Sequence, residues 1–242
     1  MMSVQGRVFT WSINSFGQME ENSLTGDSTD RRSLERSVLA ANAPQLISSF
    51  LYLGWNNIFT TMVTEREWST FGSERKSLRV SSKPCGEQRG TYFLQLPYRY
   101  SLPLIGISIL LHWLVSQTIF IVAIERRASI QDELEWGLVT CGFSVVAGVF
   151  MLATYSVLPA SALILGRRYL PSNMPIIQAS SFVISVACHH PDGKPHPEAA
   201  WTYLKWGVMR EKGIDSLRSR GIAHCGFSAD DVDEPQDGVL YA

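Results

Sequence analysis

Ionised side chains are missing from three long stretches of this 242-residue chain: Ser37–Thr64, Tyr100–Ile124 and Trp136–Gly166 contain no Asp, Glu, Lys or Arg. Charged residues make up only 18% of the whole, against a usual share of about 25%. That distribution excludes an ordinary water-soluble globule as the leading reading. An excess of either charge is missing too. Lys plus Arg total 21, Asp plus Glu total 22, and the net charge is −1, so nothing marks the chain for nucleic acid. Cysteine is scarce: Cys85, Cys141, Cys188 and Cys225 are scattered and form no CxxC pair, which excludes a disulfide-stapled secreted module. Met1–Gly17 has no basic segment followed by a long apolar run, so no cleavable signal peptide is expected and the first spanning helix would act as the signal. No repeat with a period of about 20–50 residues occurs.

The uncharged stretches are long enough to matter physically. A bilayer core about 30 Å thick takes about 20 apolar helical residues at about 1.5 Å each. In the first stretch Pro44 suits a helix start, where its missing N–H costs nothing, and a span is expected over about 44–64. This is the least apolar of the three, with Asn42, Gln45, Asn56 and Asn57 towards its ends and Ser48 and Ser49 inside. In the second, Pro103 opens LIGISILLHWLVSQTIFIVAI and Glu125-Arg126-Arg127 closes it, giving a span over about 103–124. The third gives a span over about 137–160, with tilt or a kink near Pro159 absorbing its excess length and Arg167-Arg168 closing it. Pro175–Cys188 is apolar but too short for an upright span. It reads as an interfacial segment, a re-entrant piece, or a buried strand or helix.

The linker Glu65–Arg99 carries seven basic residues, Arg66, Arg75, Lys76, Arg79, Lys83, Arg89 and Arg99. With Arg167 and Arg168 these place 65–99 and the C-terminal tail 167–242 in the cytoplasm by the positive-inside rule, and the N-terminal tail and 125–135 on the other side. The aromatic run TYFLQLPYRY before the second span suits the headgroup zone. Residues 1–36 are polar and Ser-rich and are expected to be a flexible tail. In the C-terminal tail, TYLKWGVM and GVLYA read as short strands, and DDVDEP as a solvated acidic loop.

Candidate chemistry is sparse. His112 and Gln117 lie within the second span, where polar groups either serve a function or bond neighbouring helices. With Asn56 and Asn57 they are the residues that would line a path. Cys188, His189, His224 and Cys225, with His190 and His196, offer zinc-type ligands, but their spacing fits no finger or ribbon, and a turn-rich surface with free thiols is the plainer reading. There is no GxGxxG, GxxxxGK[ST], HExxH or GxSxG, and the spans hold no carboxylate, so no catalytic residue and no cofactor is expected.

Several longer runs carry a resemblance: LGWNNIFTTM (53–62), EREWSTF (65–71), TYFLQLPYRYSLPL (91–104), LHWLVSQTIF (111–120), HCGFSADDVDEP (224–235) and GVLYA (238–242). Over about 38–242 the chain resembles a family of fungal multi-pass membrane proteins associated with domain of unknown function 6536. Family members are usually longer, with that domain upstream, so the resemblance implies a C-terminal portion. It implies no activity and no functional residue.

The expectation is therefore an all-α, multi-pass membrane protein. It has about three transmembrane helices over 37–166 and a small mixed, partly irregular tail. Its partners are the lipid bilayer and other transmembrane helices, its own or a partner's. It reads as a non-enzymatic structural, sensing or scaffold component, or alternatively as part of a transporter or channel lined by His112 and Gln117.

Overall fold

The computed structural model describes residues 31–126, 135–177, 180–189, 199–209, 222–236 and 238–241. Most of the N-terminal tail, most of 125–135, and His190 and His196 lie outside these. The helices are α1 (Arg31–Ser69), α2 (Tyr98–Thr118), α3 (Val145–Gly166) and α4 (Ser181–Ala187). The strands are β1 (Lys76–Ser77), β2 (Arg79–Val80), β3 (Arg89–Gly90), β4 (Ile119–Arg126), β5 (Glu135–Phe143), β6 (Tyr203–Met209), β7 (Ile222–Ala223), β8 (Cys225–Ser228), β9 (Val232–Asp233) and β10 (Leu240–Tyr241).

This mixed set corrects the all-α expectation, and the count of spans with it. Only α2 and α3, among the described residues, are long and apolar enough to cross a membrane. In α1 the amides and hydroxyls of Asn42, Gln45, Ser48, Ser49, Asn56 and Asn57 dilute the apolar run. Residues 119–124 and 136–143 leave helical structure altogether. The run IFIVAI is β-branched and aromatic, which favours extended backbone. EWGLVTCGF carries two glycines, a Val and a Thr, all poor helix formers. A short continuous apolar run looks alike in a buried strand and in a helix, and that is why the sequence misled here.

Pro44 and Pro103 also sit differently from expectation, since neither opens its helix. Pro44, Pro103 and Pro159 are all inside helices. Pro97 is what opens α2, its carbonyl accepting from the N–H groups of Tyr100 (2.8 Å) and Ser101 (3.1 Å).

The chain divides into two compact units. One comprises residues up to Asn56 with Leu102–Ala162, the other Asn57–Ser101 with Leu163–Ala242. In the first, β4 and β5 form an antiparallel hairpin from the Ile119–Phe143 pair to Arg126–Glu135, with an irregularity between Ile124 and Arg126. It grows directly out of α2 and returns to α3, and the Ser144 N–H closes its base on the Thr118 carbonyl at 2.9 Å.

In the second unit the basic linker and the tail form a single fold. β1 pairs antiparallel with the start of β6, and β8 and β9 pair with the rest of β6. β2 and β3, and β7 and β10, form small parallel pairs. In YLKWGVM alternation puts Leu204 and Trp206 inside, and beyond the buried Gly207 the parity shifts so that Met209 is inside as well. Trp206 packs with Phe71, Met174, Ala187 and Cys225, backed by Trp68 and Phe227. The Phe227 ring meets Trp68 and Phe71 edge-on, at 5.2 and 5.4 Å, a favoured aromatic arrangement. Two glycines permit these approaches: a Cβ on Gly207 would lie 2.5 Å from the Asp233 carbonyl, and one on Gly226 2.7 Å from the Met209 methyl.

The end of α1 grips the segment that precedes α4. A Glu65 carboxylate oxygen accepts from the Ile177 N–H at 2.6 Å, Trp68 Nε1 donates to the Pro175 carbonyl at 3.0 Å, and Ser172 Oγ donates to the Ser69 carbonyl at 2.5 Å. Arg79 ties the linker to α1 through Glu67 (2.5 Å), and reaches the Tyr92 hydroxyl (2.6 Å) while lying over its ring.

Candidate functional site

In the first unit the polar residues of three helices meet. His112 Nδ1 lies 2.7 Å from Gln45 Oε1, and Gln45 Nε2 donates to the His112 carbonyl at 3.1 Å. Ser48 Oγ and the Tyr155 hydroxyl are 2.5 Å apart. Since Gln45 and Ser48 are three apart they share one face of α1, and that face holds α2 through His112 and α3 through Tyr155. The gap beside them, lined by Ser48, Tyr52, Leu111, His112, Tyr155 and Leu158 among others, measures about 10 Å³. That is at most about one water.

The expected path residues are placed as follows. The partner of His112 is Gln45. Gln117 lies five residues on, about 140° around the helix from His112. Asn57 is exposed, and its carbonyl accepts from Thr61 Oγ1, while Asn56 is half-buried and engaged. Sequence reasoning named His112 but missed Gln45 and Tyr155. The available signal was Gln45 and Ser48 at helical spacing in the least apolar stretch.

In the second unit β8 passes the C-terminal end of α4, which brings His224 against His189 and places Cys188 and Cys225 next to them in sequence. The His189 and His224 rings are 6.1 Å apart. His224 is buried, and its Nε2 lies 3.0 Å from the His189 carbonyl. A carbonyl can only accept, so Nε2 carries the proton and is spent on this bond. Among the described residues no group of three or more His, Cys, Asp or Glu is arranged to hold a metal. Burial pushes the Cys225 thiol up to about 11 and raises that of Cys188 as well, which keeps both in the protonated, weakly nucleophilic form. Beside Cys225 lies an open groove of about 390 Å³ walled by Trp68, Phe182, Val186, Trp206 and Tyr241. Its size falls within the range of ligand sites, but its walls are apolar and carry no acid or base.

A family model described as Domain of unknown function (DUF8419) matches residues 10–241, and the chain belongs to that family. This corrects the resemblance to the family of domain 6536. The match is to a different family and spans nearly the whole chain, so nothing supports a C-terminal portion of the other one. Of the runs that suggested it, TYFLQLPYRYSLPL is an aromatic segment at the start of α2, a composition that any bilayer interface favours, and the others fall within helices, strands and loops. No curated protein and no solved structure matches the chain.

Proposed function

We propose that this DUF8419 member is an integral membrane protein in which α2 and α3 cross the bilayer. Its linker and tail form one folded cytoplasmic body that serves a structural, sensing or scaffold role without catalysis. The observation that carries the reading is the outward apolar surface of the two helices. In the most apolar window of α3 only 6% is buried inside the protein, and in that of α2 28%, whereas the core helix of a soluble domain is mostly enclosed. Trp113, 51% exposed, and Phe143, 42% exposed, are likewise not enclosed in a core. The helices have 21 and 22 residues, roughly 32 Å each, which fits a hydrocarbon core of about 30 Å.

The pairing of β1 with β6 supports the topology. Segment 65–99 and the tail belong to one fold, so they share one side of the membrane, and the seven basic residues of the linker favour the cytoplasmic side. Residues 119–143 then face the opposite side. Against a transport path stands the size of the gap at His112. Against catalysis stands the apolar lining of the groove beside the neutral thiol of Cys225. Topology mapping tests the reading. Glycosylation acceptors inserted near Pro84, between Arg126 and Glu135, and after the C-terminus should be modified only in the hairpin insertion. Modification of all three, or extraction of the chain by alkaline carbonate, refutes it.

A further inference from the structure

The stretch that follows α3 is unusual in what it exposes. Phe182 is 75% exposed on α4 and Val186, one turn on, shares its face and is exposed too, while Ile184 is exposed on the other side of the helix. So are Leu163 and Ile164 at the end of α3, then Tyr169, which is 98% exposed, Leu170 and Ile176. All belong to the second unit. The core of that unit takes only Ala187 from α4, Met174 and Ile177 from the approach to it, and part of Val183. The charge pattern matches this surface. Between Leu163 and His189 the sequence holds Arg167 and Arg168, both exposed, and no Asp or Glu. A surface meant for water would carry acids and lysines, and one meant for an acidic protein would carry more than a single basic pair. Apolar and aromatic side chains interleaved with a few arginines, at the point where a spanning helix leaves the bilayer, are the composition of a headgroup interface.

We propose that residues 163–177 and 180–187 carry a lipid-docking face. Tyr169, Ile176, Phe182 and Val186 enter the boundary between headgroups and acyl chains of the leaflet from which α3 emerges, and Arg167 and Arg168 engage its anionic phosphates. The proposal rests on the reading of α3 as a span. The bonds from Glu65, Trp68 and Ser69 to residues 172–177 hold the approach to α4 in place, so the face is presented by a braced segment.

The test uses the full chain reconstituted in phosphatidylcholine–phosphatidylserine vesicles, with the photo-reactive p-benzoylphenylalanine at position 182 or, as a reference, at position 152 in α3. The replacement at 182 keeps an aromatic ring at an exposed site. After irradiation, lipid adducts are counted by mass spectrometry. The expected result is lipid adducts at both positions, with those at 182 falling severalfold for Arg167→Gln/Arg168→Gln or in pure phosphatidylcholine, and those at 152 unchanged. Lipid adducts at 152 but none at 182 overturn the docking face and leave the span standing. Cross-links from 182 to a second copy of the chain also overturn it, because the occupant is then protein. Absence of lipid at 152 overturns both readings at once.

Discussion

The Gln45–His112 pair is where a sealed helix bundle and a polar path make opposite demands, and the geometry sets a magnitude. Two bonds join the residues, at 2.7 and 3.1 Å, one to the imidazole ring and one to the backbone carbonyl. Interhelical bonds of this kind average about 0.6 kcal/mol and reach about 1.7 kcal/mol, so the pair should be coupled by about 1–2 kcal/mol, close to a tenfold change in the folding equilibrium. Gln45→Leu strands the ring nitrogen of His112, and His112→Leu strands the Gln45 Oε1 while its Nε2 still donates to the carbonyl of residue 112. Each single variant should therefore lose about 1–2 kcal/mol. The double variant removes both polar groups and should lose no more than the worse single one. The assay is reversible unfolding in mixed micelles titrated with dodecyl sulfate and followed by far-ultraviolet circular dichroism. Additivity of the two single losses within about 0.5 kcal/mol would mean that the residues do not rely on each other, and the account of how α1 is held would be wrong.

In the second unit, Trp206→Ala empties the centre of β6 and should cost about 3–5 kcal/mol, read as loss of near-ultraviolet dichroism and as proteolysis within 199–209. Gly207→Ala forces a Cβ to within 2.5 Å of the Asp233 carbonyl and should cost about 1–3 kcal/mol; a variant as stable as the parent by thermal melt would show that β9 does not pack there. The Cys225 thiol is held protonated by burial, up to about 11 from an ordinary value of 9.0, so the folded chain binds this proton more tightly than the unfolded one. Its contribution is fully present below pH 9 and is lost as pH rises through about 11. Melting temperature should fall across that interval, less so in Cys225→Ala, and maleimide should label exposed Cys85 well before Cys225.

What could be read from the sequence followed the physics of each segment. Charge-free windows marked α2 and α3, the two described helices long and apolar enough to cross a membrane, but they marked α1 as well, because freedom from charge does not make a run apolar when amides and hydroxyls dilute it. The tail strand Tyr203–Met209 was legible because its apolar residues alternate. The hairpin of Ile119–Arg126 with Glu135–Phe143 was not, since an apolar run with no polar interruptions has neither the period of a strand nor that of a helix. Pro44 and Pro103 were misplaced for a related reason. Proline suits the first turn of a helix, but a packed or lipid-facing helix also tolerates it inside, where neighbouring groups take up the freed carbonyl. The His112 partner lay 67 residues away on α1, and no local spacing encodes that.

The hairpin bears on where α2 must end. A two-stranded ribbon leaves N–H and C=O groups unpaired along both outer edges, and in hydrocarbon each such group costs several kcal/mol. Had the second charge-free window crossed the membrane as far as Ile124, those edges would have had to sit in lipid. With α2 stopping at Thr118, and the Thr118 carbonyl tied to the Ser144 N–H, the helical part of the window alone matches the hydrocarbon thickness. With α2 crossing as proposed, the ribbon begins where water can satisfy it. Glu125, Arg126 and Glu135 fall near its tip, beyond the apolar Ile119–Phe143 end, so polarity rises with distance from the helices. On the proposed crossing of α2, an apolar window longer than the bilayer is accommodated by a change of secondary structure rather than by tilt of one continuous helix.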